Sequence, residues 1–162
     1  MKKISKILIL GGPGSGKTTL ANKLKKLFEL PIINLDNINY KKDWIARDKK
    51  ERDNIIQRKI NEDEWIMEGV YKSTLKQRAD VADLIIFLEY PTYYLIFRII
   101  KRYICNFGKE KKELDGCKER LTWNFIKYTL LFNSKKKRIY EILNKVENID
   151  NKLIIFKNGR IS

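Results

Sequence analysis

Gly11-Gly12-Pro13-Gly14-Ser15-Gly16-Lys17-Thr18 matches G-x-x-x-x-G-K-[ST], a glycine-rich run closed by a cation and a hydroxyl. Such a run lets the backbone curl so that successive N–H groups converge on phosphate oxygens, while the next helix turns its positive N-terminal end to the same charge. Lys17 then reaches β- and γ-phosphates, and Thr18 ligates Mg²⁺. The candidate nucleotide cradle is therefore Gly11 to Thr19, with Pro13 and Ser15 inside it. A loop of this kind works only between a buried strand and a helix. The chain supplies both, as Ile4, Ile7, Leu8, Ile9 and Leu10 before it and Thr19-Leu-Ala-Asn-Lys-Leu-Lys-Lys-Leu-Phe28 after it.

Three carboxylates stand where apolar runs end. Asp36 closes Ile32-Ile-Asn-Leu-Asp36, on the side where ligands bind in open parallel sheets. There it would hold or deprotonate an acceptor, or else cap a turn. Glu68-Gly69 follows Trp65-Ile-Met67, the carboxylate aimed at Mg²⁺ through water or at the acceptor, the glycine admitting substrate close to the backbone. Glu89 ends Leu84-Ile-Ile-Phe-Leu88 in the manner of a Walker B acid holding Mg²⁺, or stands as a strand-end surface residue. Arg78, Arg98 and Arg102 are the candidate cations. Arg98 and Arg102 are four apart, so a helix places both guanidinium groups on one face, fit to clamp phosphate bidentately. The competing role for each is solvation of a helix.

Five short apolar runs, at 4–10, near Ile32-Ile33, at 65–67, 84–88 and 153–156, alternate with helical patterns. That alternation predicts an α/β domain with a mostly parallel sheet. Helices are expected over 19–28 with a Leu20, Leu24, Leu27-Phe28 face, over 48–61, from Ser73 to Ala79, and from Thr92 onward with breaks at Gly108 and Asp115-Gly116. Two further helices, 118–132 and 134–147, are expected to join near Asn133-Ser134, with Lys135-Lys-Lys-Arg138 in the first turn of the second as a solvated face or else an anion site. Trp44, Trp65 and Trp123 are read as core residues, with base-stacking as the alternative.

At 162 residues and 43% hydrophobic, the chain has the size of one domain spanning 1–162. No apolar run reaches the roughly 18 residues that a membrane span requires, so a cytoplasmic protein is expected. Cys105 and Cys117, with no His in the chain, fit neither a zinc site nor a redox pair and read as reduced thiols. The net charge of +15 is uneven, and residues 98–138 carry thirteen basic against four acidic side chains. Such an excess attracts nucleotides, nucleic acid or anionic surfaces without choosing among them.

Beyond the loop, the chain resembles the bacterial topology modulation proteins, small kinase-like relatives of adenylate kinase. The resemblance lies in Leu30-Pro-Ile-Ile-Asn-Leu-Asp36, Asp63-Glu-Trp-Ile-Met-Glu-Gly-Val-Tyr71 with Thr74-Leu75 and Arg78, Ala82-Asp83, Arg98-Ile-Ile-Lys-Arg102, and Gly116-Cys117. It implies a three-layer P-loop fold like that of the nucleoside monophosphate kinases. Its parallel sheet would have five strands in order 2-3-1-4-5, with a helical lid near 98–118 whose Arg98 and Arg102 close on ATP. The chain departs from the family pattern on the acceptor side, with Asn34 in place of a usual His, Val70 of Asn and Ser73 of Arg.

The combined expectation is an ATP- and Mg²⁺-dependent phosphotransferase. Lys17, Asp36, Glu68, Arg98 and Arg102 would do the chemistry, Gly69 and Arg78 would join Asp36 and Glu68 at a small acceptor of nucleotide or nucleoside type, and Thr18 and Glu89 would hold the metal. The alternative is a nucleotide-gated DNA-binding protein with little kinase activity, although no helix-turn-helix or aromatic RNA-binding pattern is present. A signalling GTPase fits poorly, because the guanine-reading Asn-Lys-x-Asp is missing.

Overall fold

The computed structural model describes residues 3–108, 117–118 and 120–161. In chain order these form β1 (Lys6–Gly11), α1 (Lys17–Phe28), β2 (Ile32–Asn34), α2 (Leu35–Asn39), α3 (Lys49–Ile60), β3 (Trp65–Glu68), α4 (Lys72–Val81), β4 (Leu84–Glu89), α5 (Thr92–Cys105), α6 (Trp123–Leu130), α7 (Phe132–Leu143), β5 (Leu153–Lys157) and β6 (Arg160–Ile161). The sheet runs β2-β3-β1-β4-β5-β6. Its first five strands are parallel, in the order expected from the resemblance.

The sixth strand is a correction to the five expected. It pairs antiparallel with β5, Phe156 opposite Ile161 and Lys157 opposite Arg160. Asn158 and Gly159 between them have φ of 53° and 82°, the two-residue hairpin that Asn-Gly favours.

Continuous apolar strands follow from burial on both faces. Leu8 and Leu10 of β1 turn to one side and pack with Ile56 of α3, Leu75 and Ala79 of α4 and Ile139 and Leu143 of α7. Ile7 and Ile9 turn to the other side, where Ala21 of α1 meets them. The helices therefore cover the sheet from both sides in three layers. Leu27 departs from the expected Leu face of α1 and is exposed. The break between the last two long helices falls at Leu131, two residues before the expected one, and Asp115-Gly116 lies outside the described residues. Of the three tryptophans only Trp65 is core; Trp44 is half-buried and Trp123 is exposed.

One aspartate sets where β1 begins. Asp83 Oδ2 accepts from Ser5 N, Ser5 Oγ and Lys6 N, each at 3.0 Å, just before β4 starts. Anchoring both strands at one level keeps β1 and β4 in register, Leu8 opposite Ile85 and Gly11 opposite Leu88. The phosphate loop thus leaves the sheet at a defined height. Asp83→Ala is expected to lower unfolding free energy by about 2–3 kcal/mol, because three half-buried donors lose an ionised acceptor; urea denaturation measures the difference.

Candidate active site

The loop after β1 delivers its backbone to the C-terminal edge of the sheet. Gly16 has φ of 95°, a left-handed conformation that a side chain would strain. A Cβ there would also lie 3.2 Å from a guanidinium nitrogen of Arg98. Arg98, on α5, reaches over the loop and donates to the Ser15 carbonyl at 3.4 Å. Lys17 Nζ curls onto the loop itself, donating to the carbonyls of Gly11 at 3.0 Å and Gly12 at 2.9 Å. Ser15 Oγ is buried without a hydrogen-bond partner among the described residues. An arginine over the loop, a lysine within it and an unpaired hydroxyl fit an anionic polyphosphate held by backbone and cations.

Glu68, at the end of β3, is 3% exposed. Its carboxylate accepts from Thr18 Oγ1, 3.0 Å to either oxygen, and from Asn34 Nδ2 at 2.6 Å. Three parallel strands are needed to make this contact, because Thr18 follows β1, Asn34 ends β2 and Glu68 ends β3. Burial pushes the Glu68 carboxyl above its ordinary range, Lys17 and the Thr18 and Asn34 bonds pull it back, and Asp36 adds to the rise. Among the described residues no group of three His, Cys, Asp or Glu side chains could hold a metal ion unaided. Thr18 with Glu68 behind it instead fits Mg²⁺ carried in on phosphates and waters, the usual way this ion is held in phosphotransfer sites.

Asp36 lies in the first turn of α2, whose N-cap Asn34 accepts from the Asp36 N–H at 2.8 Å. The carboxylate takes the Tyr71 hydroxyl at 2.8 Å, and burial followed by the Asp36 charge pushes that phenol far up. Arg52 of α3 stacks over the Tyr71 ring at 4.9 Å and pairs with Asp53 at 2.7 Å. Gly69 has φ of 127°, and a Cβ there would lie 3.0 Å from the Leu35 side chain, so the turn requires glycine.

These groups line one cleft of about 1470 Å³, which holds Gly11, Gly14, Gly16, Lys17, Thr18, Thr19, Asp36, Glu68, Gly69, Arg98 and Arg102 together. Its remaining cations include Lys49, Arg52, Lys72, Arg120, Lys135 and Arg138, against the two carboxylates Asp36 and Glu68. Lys135 and Arg138 thus belong to the cleft wall, which agrees with the anion-site alternative and not with the solvated face favoured for them. Both depress the Lys72 ammonium, after burial as the larger cause. Trp44 closes the rim. Asp43 and Trp44 have φ of 59° and 61°, a turn that presents the indole to Arg120 at 4.5 Å and lets Nε1 donate to the Lys118 carbonyl at 3.0 Å.

Two expected site residues are placed elsewhere. Arg78 is fully buried outside the cleft, and its guanidinium donates to the carbonyls of Gly69, Val70 and Tyr71 at 2.9 Å each. It braces the Gly69–Tyr71 turn from behind. Glu89 also lies outside the cleft lining, held on α7 by the Tyr140 hydroxyl and by Lys136 at 3.3 Å. The carboxylate against Thr18 is Glu68. Tyr71 and Arg52 went unrecognised in the sequence; Tyr71, two residues after Gly69, carried a positional signal, whereas Arg52 reaches the cleft only through tertiary packing, and Trp44, favoured as core, lines the cleft instead.

No protein-family model matches the chain. The protein described as adenylate kinase isoenzyme 6 homolog from Plasmodium falciparum (isolate 3D7) is 29% identical over 192 aligned positions, covering 99% of this chain and 98% of that one. Shikimate kinase from Acinetobacter baumannii, solved with shikimate, superposes with a TM-score of 0.58 at 14% identity, covering 86% of this chain and 80% of its own. A gluconokinase from Sinorhizobium meliloti 1021 gives 0.56 at 14% identity, over 99% and 86%. Shikimate kinase from Bacteroides thetaiotaomicron gives 0.57 at 16% identity, over 96% and 87%. These proteins bear kinase names, and the topology modulation name rests on the sequence resemblance alone. In fold, the chain is an α/β P-loop protein of the shikimate kinase kind.

Proposed function

We propose that the protein is an ATP- and Mg²⁺-dependent phosphotransferase acting on a small acceptor of nucleotide or nucleoside type. The observation that carries this reading is the Thr18–Glu68 contact inside a cation-lined cleft that also holds Asp36 and the glycine loop. Kinase names among similar proteins support it.

Phosphoryl transfer asks a protein for positioning and charge neutralisation more than for covalent chemistry. Lys17 exchanges its two loop carbonyls for phosphate oxygens, while Arg98 and Arg102 approach the same charge from α5. Thr18, with Glu68 behind its hydroxyl, would hold Mg²⁺, which would supply charge neutralisation at the phosphates. Asp36 faces the acceptor. Toward a nucleoside it takes the proton of the attacking hydroxyl as that oxygen bonds to the γ-phosphorus, the bridging bond breaks and ADP leaves with the electron pair; toward a nucleotide the attacking atom is an ionised phosphate oxygen, no proton is taken, and Asp36 orients the acceptor. Tyr71 holds this carboxylate in place by its hydrogen bond.

The test is Mg²⁺-dependent conversion of ATP to ADP, with and without a panel of nucleoside monophosphates and nucleosides. One acceptor is expected to stimulate turnover, and Lys17→Ala to lower it by roughly 10²–10³-fold, the scale of losing one group that stabilises transition-state charge, with the far-ultraviolet circular dichroism unchanged. Tight ATP binding without acceptor-dependent turnover overturns the reading.

Glu68 gives a second test. Because its folded carboxyl is raised, the folded chain holds that proton more tightly than the unfolded chain. Its contribution to stability therefore falls as pH rises from the unfolded carboxylate value of about 4.3 through the raised folded value. Glu68→Gln removes the penalty. The variant is expected to melt higher than wild type at neutral pH and no higher at acid pH, while turnover drops roughly 10–100-fold, as for loss of a group behind a metal ligand. Melting curves across pH, read beside turnover, check both.

A further inference from the structure

The helix α5 is apolar on two opposite faces. Leu95 and Ile99 are buried, against positions where Gly12 and Gly14 would carry a Cβ. Tyr93, Phe97, Ile100 and Ile104 are spaced four, three and four apart, and Phe107 follows three later, just past the C-cap Asn106. They are 77%, 61%, 38%, 68% and 70% exposed. Helices apolar on all sides are normally covered on all sides. Here the loop and α6 cover part of the helix, while the Tyr93–Phe107 stripe stays exposed among the described residues.

The alternating four-and-three spacing is the seam of a helix pair, whose knobs insert between those of an identical stripe. We propose that a second copy of this chain docks on this stripe, α5 against α5 about a twofold axis. A twofold interface is self-complementary, and one stripe repeated at heptad spacing meets that condition without a second surface. At these exposures the five side chains offer roughly 500–700 Å² per copy, approaching the ~800 Å² that each partner gives a stable interface; the rim supplies the rest. No acid or base interrupts the stripe, and Lys101 beside it is the cation on its border. An anionic membrane would call for more cations at that border. Arg98 and Arg102, the other two on this helix, line the nucleotide cleft.

The charge of +15 on each copy sets the signature. Like charges oppose pairing, so salt strengthens the dimer by screening, whereas binding to DNA or anionic lipid weakens with salt. The experiment is sedimentation velocity of the full chain from micromolar to submillimolar concentration at low and high salt, with anionic phosphatidylserine vesicles as a separate arm. The expected result is a species of twice 19.3 kDa whose fraction grows with concentration and salt. Phe97→Glu and Ile104→Glu should each sediment as a single chain with unchanged circular dichroism and unchanged ATP affinity. A wild-type chain that stays at the single mass throughout overturns the proposal. So does a dimer that survives both folded variants, or flotation with vesicles in place of self-association.

Discussion

A carboxylate 3% exposed must find donors or give up its charge, and Glu68 finds them in the first turn of α1 and at the end of β2. That requirement organises the C-terminal edge of the sheet. Thr18 has to arrive from β1 through the glycine loop, and Asn34 has to end β2 at the same level. Parallel pairing supplies this, with Asn34 opposite Glu68 across β2 and β3 and Ile9 opposite Glu68 across β1 and β3. Asn34 then serves twice, since its Oδ1 caps α2 and thereby places Asp36. The helix start that follows the glycine loop and the turn that carries Asp36 are joined through one buried charge.

The second organising element is cation placement. Arginines come to the cleft from α3, α5, α7 and residue 120, lysines from α3, α4 and α7, and the start of α1 contributes Lys17. Packing decides which of these are available to an anion. Arg78 spends its guanidinium on three backbone carbonyls and is pushed down to about 9 by burial, still cationic at neutral pH. It therefore holds the Gly69–Tyr71 turn that displays Tyr71 to Asp36. Glu89 is in the reverse situation, a strand-end acid taken up by α7 through Tyr140 and Lys136. Both residue types suggested ligand chemistry, and both are used to fix the walls of the cleft.

Much was legible beforehand. The five parallel strands, the loop with its flanking strand and helix, and the carboxylates at strand ends all follow from local patterns, because burial on both faces writes continuous apolar runs and phosphate binding demands glycines at fixed spacing. Asp36, Glu68, Arg98 and Arg102 were named from position alone and do share the cleft. The sixth strand carried its own sign in Asn158-Gly159, a hairpin signal too short to register against a two-residue strand. The exposure of Trp123 carried no such sign, and the basic run at Lys135 and Arg138 left a solvated face and an anion site both open, since periodicity gives a residue's face on its own helix but not what that face meets.

The chain by itself determined the kind of ligand loop it builds, the layered α/β order and the edge at which chemistry would gather. These depend on backbone freedom and on the spacing of apolar side chains, both of which are local. Only the tertiary structure decided which acid stands behind Thr18, that Arg78 is a clamp, and that Tyr71, Arg52 and Trp44 line the same cleft as Asp36. Those outcomes depend on distances between residues far apart in sequence, set by how helices settle on the sheet. A charged side chain takes the nearest partner that packing leaves it, and packing is a property of the whole fold.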